Sequence, residues 1–240
     1  IASTVERMAA VPMDAQPGVQ FVYGYNTDIL GVVIERASGK TLDVFMSEKV
    51  FKPLGMTDTY FYLPKDKAPR FATVYSLEKN GPVTRGPDPG KMVGQGLYVA
   101  GPRKSFSGGA GILSTARDYA TFLTMILNKG MHNGKRILSR KSVELMTVDH
   151  LRSIPYADGA GFGLGFEVTD KLGDRGRLGS EGEFGWGGAY HSTYWVDPKE
   201  DLVVVYFTQL IPAGGIDDHG KLRALVYQAV AENMASEQSA

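Results

Sequence analysis

Tyr23-Gly24-Tyr25-Asn26-Thr27-Asp28-Ile29-Leu30-Gly31 is the stretch on which the reading of the fold turns. It follows a Gln16-Pro17-Gly18 turn, and from it Ile29, Leu30, Val33, Ile34 and Ala37 recur at helical spacing up to Gly39. The pattern predicts a helix over residues 27–38, with this apolar stripe buried and Gly39 as its left-handed terminator. A tyrosine between a Pro-Gly turn and a buried amphipathic helix is placed to hold a phenol in a cleft. Upstream, Val5, Met8 and Val11 suggest the end of a helix over residues 2–11, stopped by Pro12 and Pro17-Gly18. Downstream, a second helix over residues 42–50 runs into Phe51-Lys52-Pro53-Leu54-Gly55. Residues 64–105, rich in Lys, Pro and Gly, read as an irregular surface excursion of the kind that shapes a binding cleft.

Ser107-Gly108-Gly109-Ala110-Gly111 reads as a close-packing turn, and Thr115-x-x-Asp118 after it as a capping box with Asp in the place of Glu. Tyr119, Phe122, Leu123, Ile126 and Leu127 form the expected buried face of that helix, and Gly130 ends it. A further helix is expected over residues 139–150. The pattern then changes. Gly161 to Val168 reads as a strand, and residues 191–196 and 202–208 as two strands joined through Asp197-Pro198-Lys199-Glu200-Asp201, hence a hairpin. A helix over residues 221–234 closes the chain. The class is α+β, with a mainly helical lobe over 1–155 and strands plus a helix over 156–240, and no internal repeat.

Composition narrows the function. With 240 residues, 43% apolar and 22% charged, the chain is an ordinary globular protein with a real core. Its 26 basic and 26 acidic residues cancel and no long basic run occurs, which argues against nucleic acid or an anionic membrane surface as partner. It has no cysteine, which removes disulfides, thiolate catalysis and Cys-based metal sites and leaves the redox compartment undetermined. No apolar run reaches the roughly 20 residues of a membrane helix, and the first residues lack the order of a signal peptide. A soluble protein of cytoplasm or periplasm is expected. Because Ile1 is not an initiator methionine, a segment upstream of it is expected too.

Several landmarks occur in one order: Pro17-Gly18, Tyr23, the helix from Asp28 to Gly39, Pro53-Leu54-Gly55-Met56-Thr57-Asp58-Thr59, Gly109 to Tyr119, Gly161 to Phe166, Trp186-Gly187-Gly188, and Asp197-Pro198. The ordered set resembles the serine β-lactamase-like hydrolases, nearest to the family VIII carboxylesterases related to class C β-lactamases. The resemblance implies a β-lactamase/transpeptidase-like fold, with a helical lobe set into an α/β lobe of antiparallel strands and a C-terminal helix.

The resemblance also implies site residues. Tyr23, with Asp28, Leu30 and Gly31 behind it, matches the tyrosine that exchanges protons with a Ser-Lys pair and the leaving group. A phenol is a poor base at neutral pH unless a cation sits beside it. Taken alone, Tyr23 reads as a partly buried tyrosine whose ring packs in the core. Tyr25 stands where the lactamases keep Asn, which favours the esterase branch. Gly185-Trp186-Gly187-Gly188-Ala189 matches the third motif, which is Lys-Thr-Gly in lactamases and Trp-Gly-Gly in these esterases. Alone, it reads as a glycine-rich turn beside a core Trp. In the family context Trp186 lines the acyl pocket, Gly187 and Gly188 let a substrate carbonyl lie against the backbone, and the Ala189 N–H faces the oxyanion. His191, three residues past Gly188, is a candidate substrate contact.

Of the other histidines, His132 and His219 fall in turn-like sequence and are expected at the surface. None of His132, His150, His191 and His219 lies at metal-ligand spacing from another, so no metal or cofactor is expected. No Gly-x-Ser-x-Gly elbow accompanies a Ser-His-Asp triad.

The nucleophile motif Ser-x-x-Lys needs both side chains on one face of a buried helix. Ile1-Ala2-Ser3-Thr4 begins like it, but Glu6 holds the lysine position. Ser76-Leu77-Glu78-Lys79 has the spacing, but Asn80-Gly81-Pro82 follow at once, so it reads as a chance match in a loop. The resemblance therefore implies the C-terminal part of such an enzyme, with the first strands and the Ser-x-x-Lys helix on an N-terminal complement. Its substrate would be a small ester or amide. A catalytically inactive binding module, and an acyltransferase or lactamase of the same superfamily, stay open beside the esterase.

Overall fold

The computed structural model describes residues 1–79, 81–87 and 95–234. It forms two compact units. The first comprises the described parts of Ile1–Ala72, Pro87–Ile137 and Ser153–Pro155, the second those of Thr73–Gly86, Leu138–Arg152 and Tyr156–Ala240. The units interleave along the chain, whereas the sequence pattern divides it once, after residue 155.

Helix α1 spans Ala2–Met8, ending before Pro12. Helix α2 spans Asn26–Ser38 and ends at Gly39, whose φ of 67° is left-handed and whose N–H donates to the Glu35 carbonyl at 3.0 Å. Its buried residues are not the expected apolar stripe but Asp28, Gly31 and Val32, while Ile29, Leu30 and Val33 are exposed. Gly31 explains the rotation. A Cβ there would lie 3.0 Å from the Leu42 side chain and 3.6 Å from Gly108, so the side of α2 without a side chain is the one against which neighbours close.

Helix α3 (Leu42–Met46) continues through a π turn over Ser47–Phe51 into α4 (Lys52–Leu54), closed by left-handed Gly55. Pro53 falls at the start of α4, where a missing N–H is tolerated. Residues 64–105 are less irregular than expected. They carry a 3-10 helix over Lys65–Arg70 and two strands of the second unit, β1 (Tyr75–Leu77) and β2 (Val83–Arg85). Asn80 and residues 88–94 of that stretch lie outside the described residues.

Helix α5 (Ala116–Leu127) carries the first unit's core, with Leu123, Met125 and Ile126 sealed from solvent. Only half of its capping box forms. Thr115 Oγ1 accepts from the Asp118 N–H at 3.2 Å, but the Asp118 carboxylate instead accepts from the Asp58 N–H and from Thr59 Oγ1, both at 2.8 Å. The residue thus ties the Pro53–Thr59 segment to the helix start. A short hairpin follows, β3 (Met131–His132) and β4 (Lys135–Arg136).

In the second unit, α6 (Arg140–Met146) is capped by Ser139 Oγ, which accepts from the Ser142 N–H at 2.9 Å. It stops short of residue 150 because the Asp149 carboxylate collects the N–H groups of Leu151, Arg152 and Phe162 and turns the chain onto the next strand. That strand was expected to run unbroken from Gly161 to Val168. It is a hairpin instead, β5 (Ala160–Phe162) and β6 (Glu167–Thr169). Gly163 and Gly165 break it: a Cβ on Gly163 would sit 2.2 Å from the Met146 carbonyl, and Gly165 has φ 101°.

After the short helix α7 (Leu172–Arg175), strands β7 (Phe184–Gly188), β8 (Ser192–Asp197) and β9 (Leu202–Tyr206) complete a five-stranded antiparallel sheet in the order β5-β6-β7-β8-β9. Strand β10 (Leu210–Ala213) leaves it and pairs in parallel with β1, in a second sheet ordered β10-β1-β2. On one face of the large sheet Phe184 and Trp186 oppose Val196 and Tyr194, with Phe166 and Phe162 each 5.0 Å from one of the two aromatic rings of β7. On the other face helix α8 (Asp218–Met234) stacks Tyr227 and Arg223 over the buried Trp195. No helix among the described residues is long and apolar enough to cross a membrane.

Burial at α5 sets a stability expectation. Leu123→Ala should cost about 2–5 kcal/mol of unfolding free energy, while Leu145→Ala, at a position 53% exposed, should stay within about 0.5 kcal/mol. Urea denaturation of both variants measures the difference.

Candidate functional site

The entry to α2 is built by a carboxylate and two glycines. Asp28, buried in the first turn, accepts from Ser107 Oγ at 2.5 Å and from the Gly109 N–H at 3.4 Å. Gly108 then lies flat on the helix start, where a Cβ would meet the Thr27 carbonyl at 2.2 Å. The close-packing turn read at Ser107–Gly111 is therefore what seats the helix. Tyr23 and Tyr25 sit immediately before α2 in this first unit, with 74% and 66% of their surface exposed.

The second expected group lies in the second unit. Strand β6 pairs with β7 only at Phe184 and Gly185, so Trp186, Gly187 and Gly188 run past its end and pair with β8 alone among the described strands. Gly187, Gly188 and Ala189 are exposed, and the half-buried Trp186 indole meets Phe162 edge-on. A turn follows in which the His191 N–H donates to the Gly188 carbonyl at 3.0 Å and His191 adopts φ 60°. Thr208 Oγ1 lies 3.0 Å from the Tyr190 carbonyl and 2.7 Å from that of His191, which pins the turn. The structure thus brings Trp186, Gly187, Gly188, Ala189 and His191 together on one strand end.

The His191 ring lies against α8. Its Nε2 is 2.6 Å from Asp218 Oδ1, and Tyr206 OH donates to Asp218 Oδ2 at 2.9 Å. Burial works against ionisation of Asp218, but the hydrogen bonds from His191 and Tyr206 outweigh it and hold the carboxyl below its ordinary range. The bond to Asp218, with some burial, pushes the Tyr206 phenol up. His219, expected at the surface, is a half-buried helical residue stacked on His191 at 4.0 Å between ring centroids. The spacing of these histidines in sequence, 28 residues apart, gave no sign of this pairing.

Under β7 lies a polar network that sequence reading missed entirely. Glu183, 2% exposed, accepts from Arg223 Nη1 at 2.6 Å and Tyr227 OH at 2.7 Å, and Arg177 Nη2 approaches at 3.4 Å. The same Tyr227 oxygen is 2.8 Å from the buried Asp197. Burial and these two carboxylates push the Tyr227 phenol far above its ordinary range, and burial with Glu167 does the same to Tyr156. Burial and the charges of Arg223 and Arg175 pull Arg177 below its ordinary range. Tyr156, Tyr206 and Tyr227 are thus held as protonated phenols, donors rather than bases.

Ser76, the one serine with lysine three residues on, stands in strand β1, and its Oγ donates to the Ile211 carbonyl at 2.7 Å. It lies in a strand rather than the expected loop, and it does not open a helix.

Against known proteins, the beta-lactamase family model matches residues 2–228. Protein Rv1367c of Mycobacterium tuberculosis is 35% identical over 222 residues, covering 88% of this chain and 54% of its own length. Lovastatin esterase of Penicillium rubens is 30% identical over 234 residues, covering 88% and 56%. Among solved structures, EstCE1, a hydrolase with promiscuous acyltransferase activity, superposes with a TM-score of 0.67 at 26% identity, covering 83% of this chain and 54% of that one. The chain spans about half the length of the curated relatives it matches.

The Glu183 network carries a prediction. Glu183→Ala leaves Arg223 without its buried counter-charge and should cost about 3–5 kcal/mol in urea denaturation. A loss under about 1 kcal/mol would mean that water takes the place of the carboxylate.

Proposed function

The chain belongs to the beta-lactamase family, and on that premise we propose that it is the C-terminal part of a serine acyl hydrolase that cleaves small short-chain esters through an acyl-enzyme. The observation that carries the reading is the strand end at Gly187-Gly188-Ala189. It offers exposed backbone without bulky side chains, flanked by an indole and pinned by Thr208. Such an edge suits an acyl carbonyl, with the Ala189 N–H as donor to the oxyanion that forms when a serine attacks. Trp186 would bound the acyl chain, and Tyr25 and His191 would contact substrate. Tyr23 would pass the serine proton, held with the help of a lysine, to the leaving alkoxide.

The serine and lysine would come from an N-terminal complement, on the same polypeptide or on another. Two observations support it. The apolar residues Ile29, Leu30 and Val33 of α2 face solvent in this chain, directly after Tyr23 and Tyr25, and the matched relatives are about twice as long. A helix laid on that face would cover it. Acyl transfer to an alcohol is the second reading, favoured by the likeness to EstCE1, because water and alcohols compete for one acyl-enzyme.

The test is hydrolysis by the complete enzyme. We expect a higher kcat/KM for p-nitrophenyl butyrate than for nitrocefin, since Trp186 stands where a lysine would bind a lactam carboxylate. A preference for nitrocefin would assign the protein to the lactamase branch. Tyr23→Phe should lower ester turnover at least about 10²-fold, and unchanged turnover would make Tyr23 a structural residue. Absence of labelling by a fluorophosphonate in the complete protein would favour the inactive binding module.

A further inference from the structure

We propose that His191, Asp218 and His219 form a binding site for a divalent transition-metal ion, with zinc the best match to its donors. One ring nitrogen from each imidazole and one carboxylate oxygen of Asp218 lie within 4.8 Å of one another, and all three residues are half-buried. They come from two places in the fold, the turn that ends β7 and the first turn of α8. Left-handed backbone at His191 delivers its ring to the helix start.

The donor set selects the ion. Two imidazoles and one carboxylate, with a fourth position open, is a recurring zinc arrangement. Calcium and magnesium call for oxygen donors throughout, which this cluster does not supply. Tetrahedral zinc with bonds of about 2.0–2.1 Å places its donors roughly 3.3 Å apart. The His191–Asp218 contact of 2.6 Å would therefore open slightly, and the donors that now lie farther apart, all within 4.8 Å of one another, would close.

The surroundings hold these ligands as outer shells of metal sites do. The free Asp218 oxygen takes the Tyr206 hydroxyl at 2.9 Å. The His191 carbonyl lies 2.7 Å from Thr208 Oγ1 and 3.2 Å from His219 Nε2. The His191–Asp218 hydrogen bond by itself explains two of the residues. His219 is stacked on the His191 ring at 4.0 Å with a 17° tilt, and because an imidazole nitrogen donates in its ring plane, the His219 ring would turn about its side-chain torsions to bring both lone pairs onto one ion.

A bound ion would clasp the start of α8 to the turn two residues beyond Ala189. The proposal stands apart from the hydrolase reading, because zinc binding is measured on this chain without substrate. Titration calorimetry of the metal-stripped chain with zinc chloride should give one site per chain, with an affinity in the micromolar range or tighter. Cobalt(II) should give the intense visible bands of a tetrahedral ion. His191→Ala and His219→Ala should each weaken zinc at least about tenfold, and the double variant should abolish the site. Tyr206→Phe, which leaves all three ligands in place, should weaken it by about 10–100-fold with unchanged circular dichroism, so the test survives if a ligand variant misfolds. His132→Ala and His150→Ala should leave binding unchanged. No heat and no cobalt bands would overturn the site, as would zinc binding that persists in the double variant or that is lost with His132 or His150.

Discussion

A carboxylate with almost no access to water has to be neutralised where it stands, and the second unit is arranged around that requirement at Glu183. Burying a lone charge is far more costly than burying a paired one. Glu183 precedes β7 by one residue, and its partners Arg223 and Tyr227 lie one turn apart on α8. Satisfying it therefore fixes the start of β7 against one face of α8. Trp195, beneath Arg223 and Tyr227, supplies the apolar half of the same contact. With that face set, the first turn of α8 falls beside the β7–β8 turn, where Asp218 and His219 meet His191.

The first unit applies the same logic with neutral partners and closer backbones. Asp28 and Asp118 both lie in first helical turns, where a carboxylate ordinarily serves the helix dipole or a cap. Here each reaches outward to a loop, Asp28 to Ser107–Gly109 and Asp118 to Asp58–Thr59. The Ser107–Gly109 loop can come that near to α2 only because Gly31 and Gly108 carry no side chain. Helix α2 is consequently held by its polar and glycine side, and its apolar side is left outward.

These two arrangements place different parts of the proposed chemistry. Tyr23 and Tyr25 ride on the entrance to α2, and the open glycine backbone ends β7. Each lies beside a part-buried hydrogen-bonded anchor in its own unit, Asp28 with Ser107 and Gly109 in the first and Thr208 with the carbonyls of Tyr190 and His191 in the second. That is the support a reaction needs when its donors must sit within a fraction of an ångström of the developing charge.

The family was legible in the sequence because its landmarks are local: glycines where backbones approach, a proline turn, an aromatic beside Gly-Gly, and helix caps such as Thr115 and Ser139. The Ser-x-x-Lys spacing occurs at Ser76, and the Asn80-Gly81-Pro82 that follows it argued in advance against a helix there. Periodicity failed at α2, where it predicted a buried stripe of Ile29, Leu30 and Val33. Hydrophobicity ranks faces, but Gly31 decided which one could be approached. It failed again at Gly161 to Val168, where two glycines turn a strand into a hairpin. The Glu183 cluster and the stacking of His191 on His219 could not be read in advance, because charge pairing and ring contacts between residues 28 to 44 positions apart leave no periodic trace. The sequence alone determined the family, the caps of α2, α5 and α6 and the glycine-rich backbone of the candidate site. Only the tertiary structure decided which faces are buried and which distant side chains meet, because those outcomes depend on close backbone approach at Gly31 in the first unit and on how β7 and α8 close around the buried Glu183 in the second.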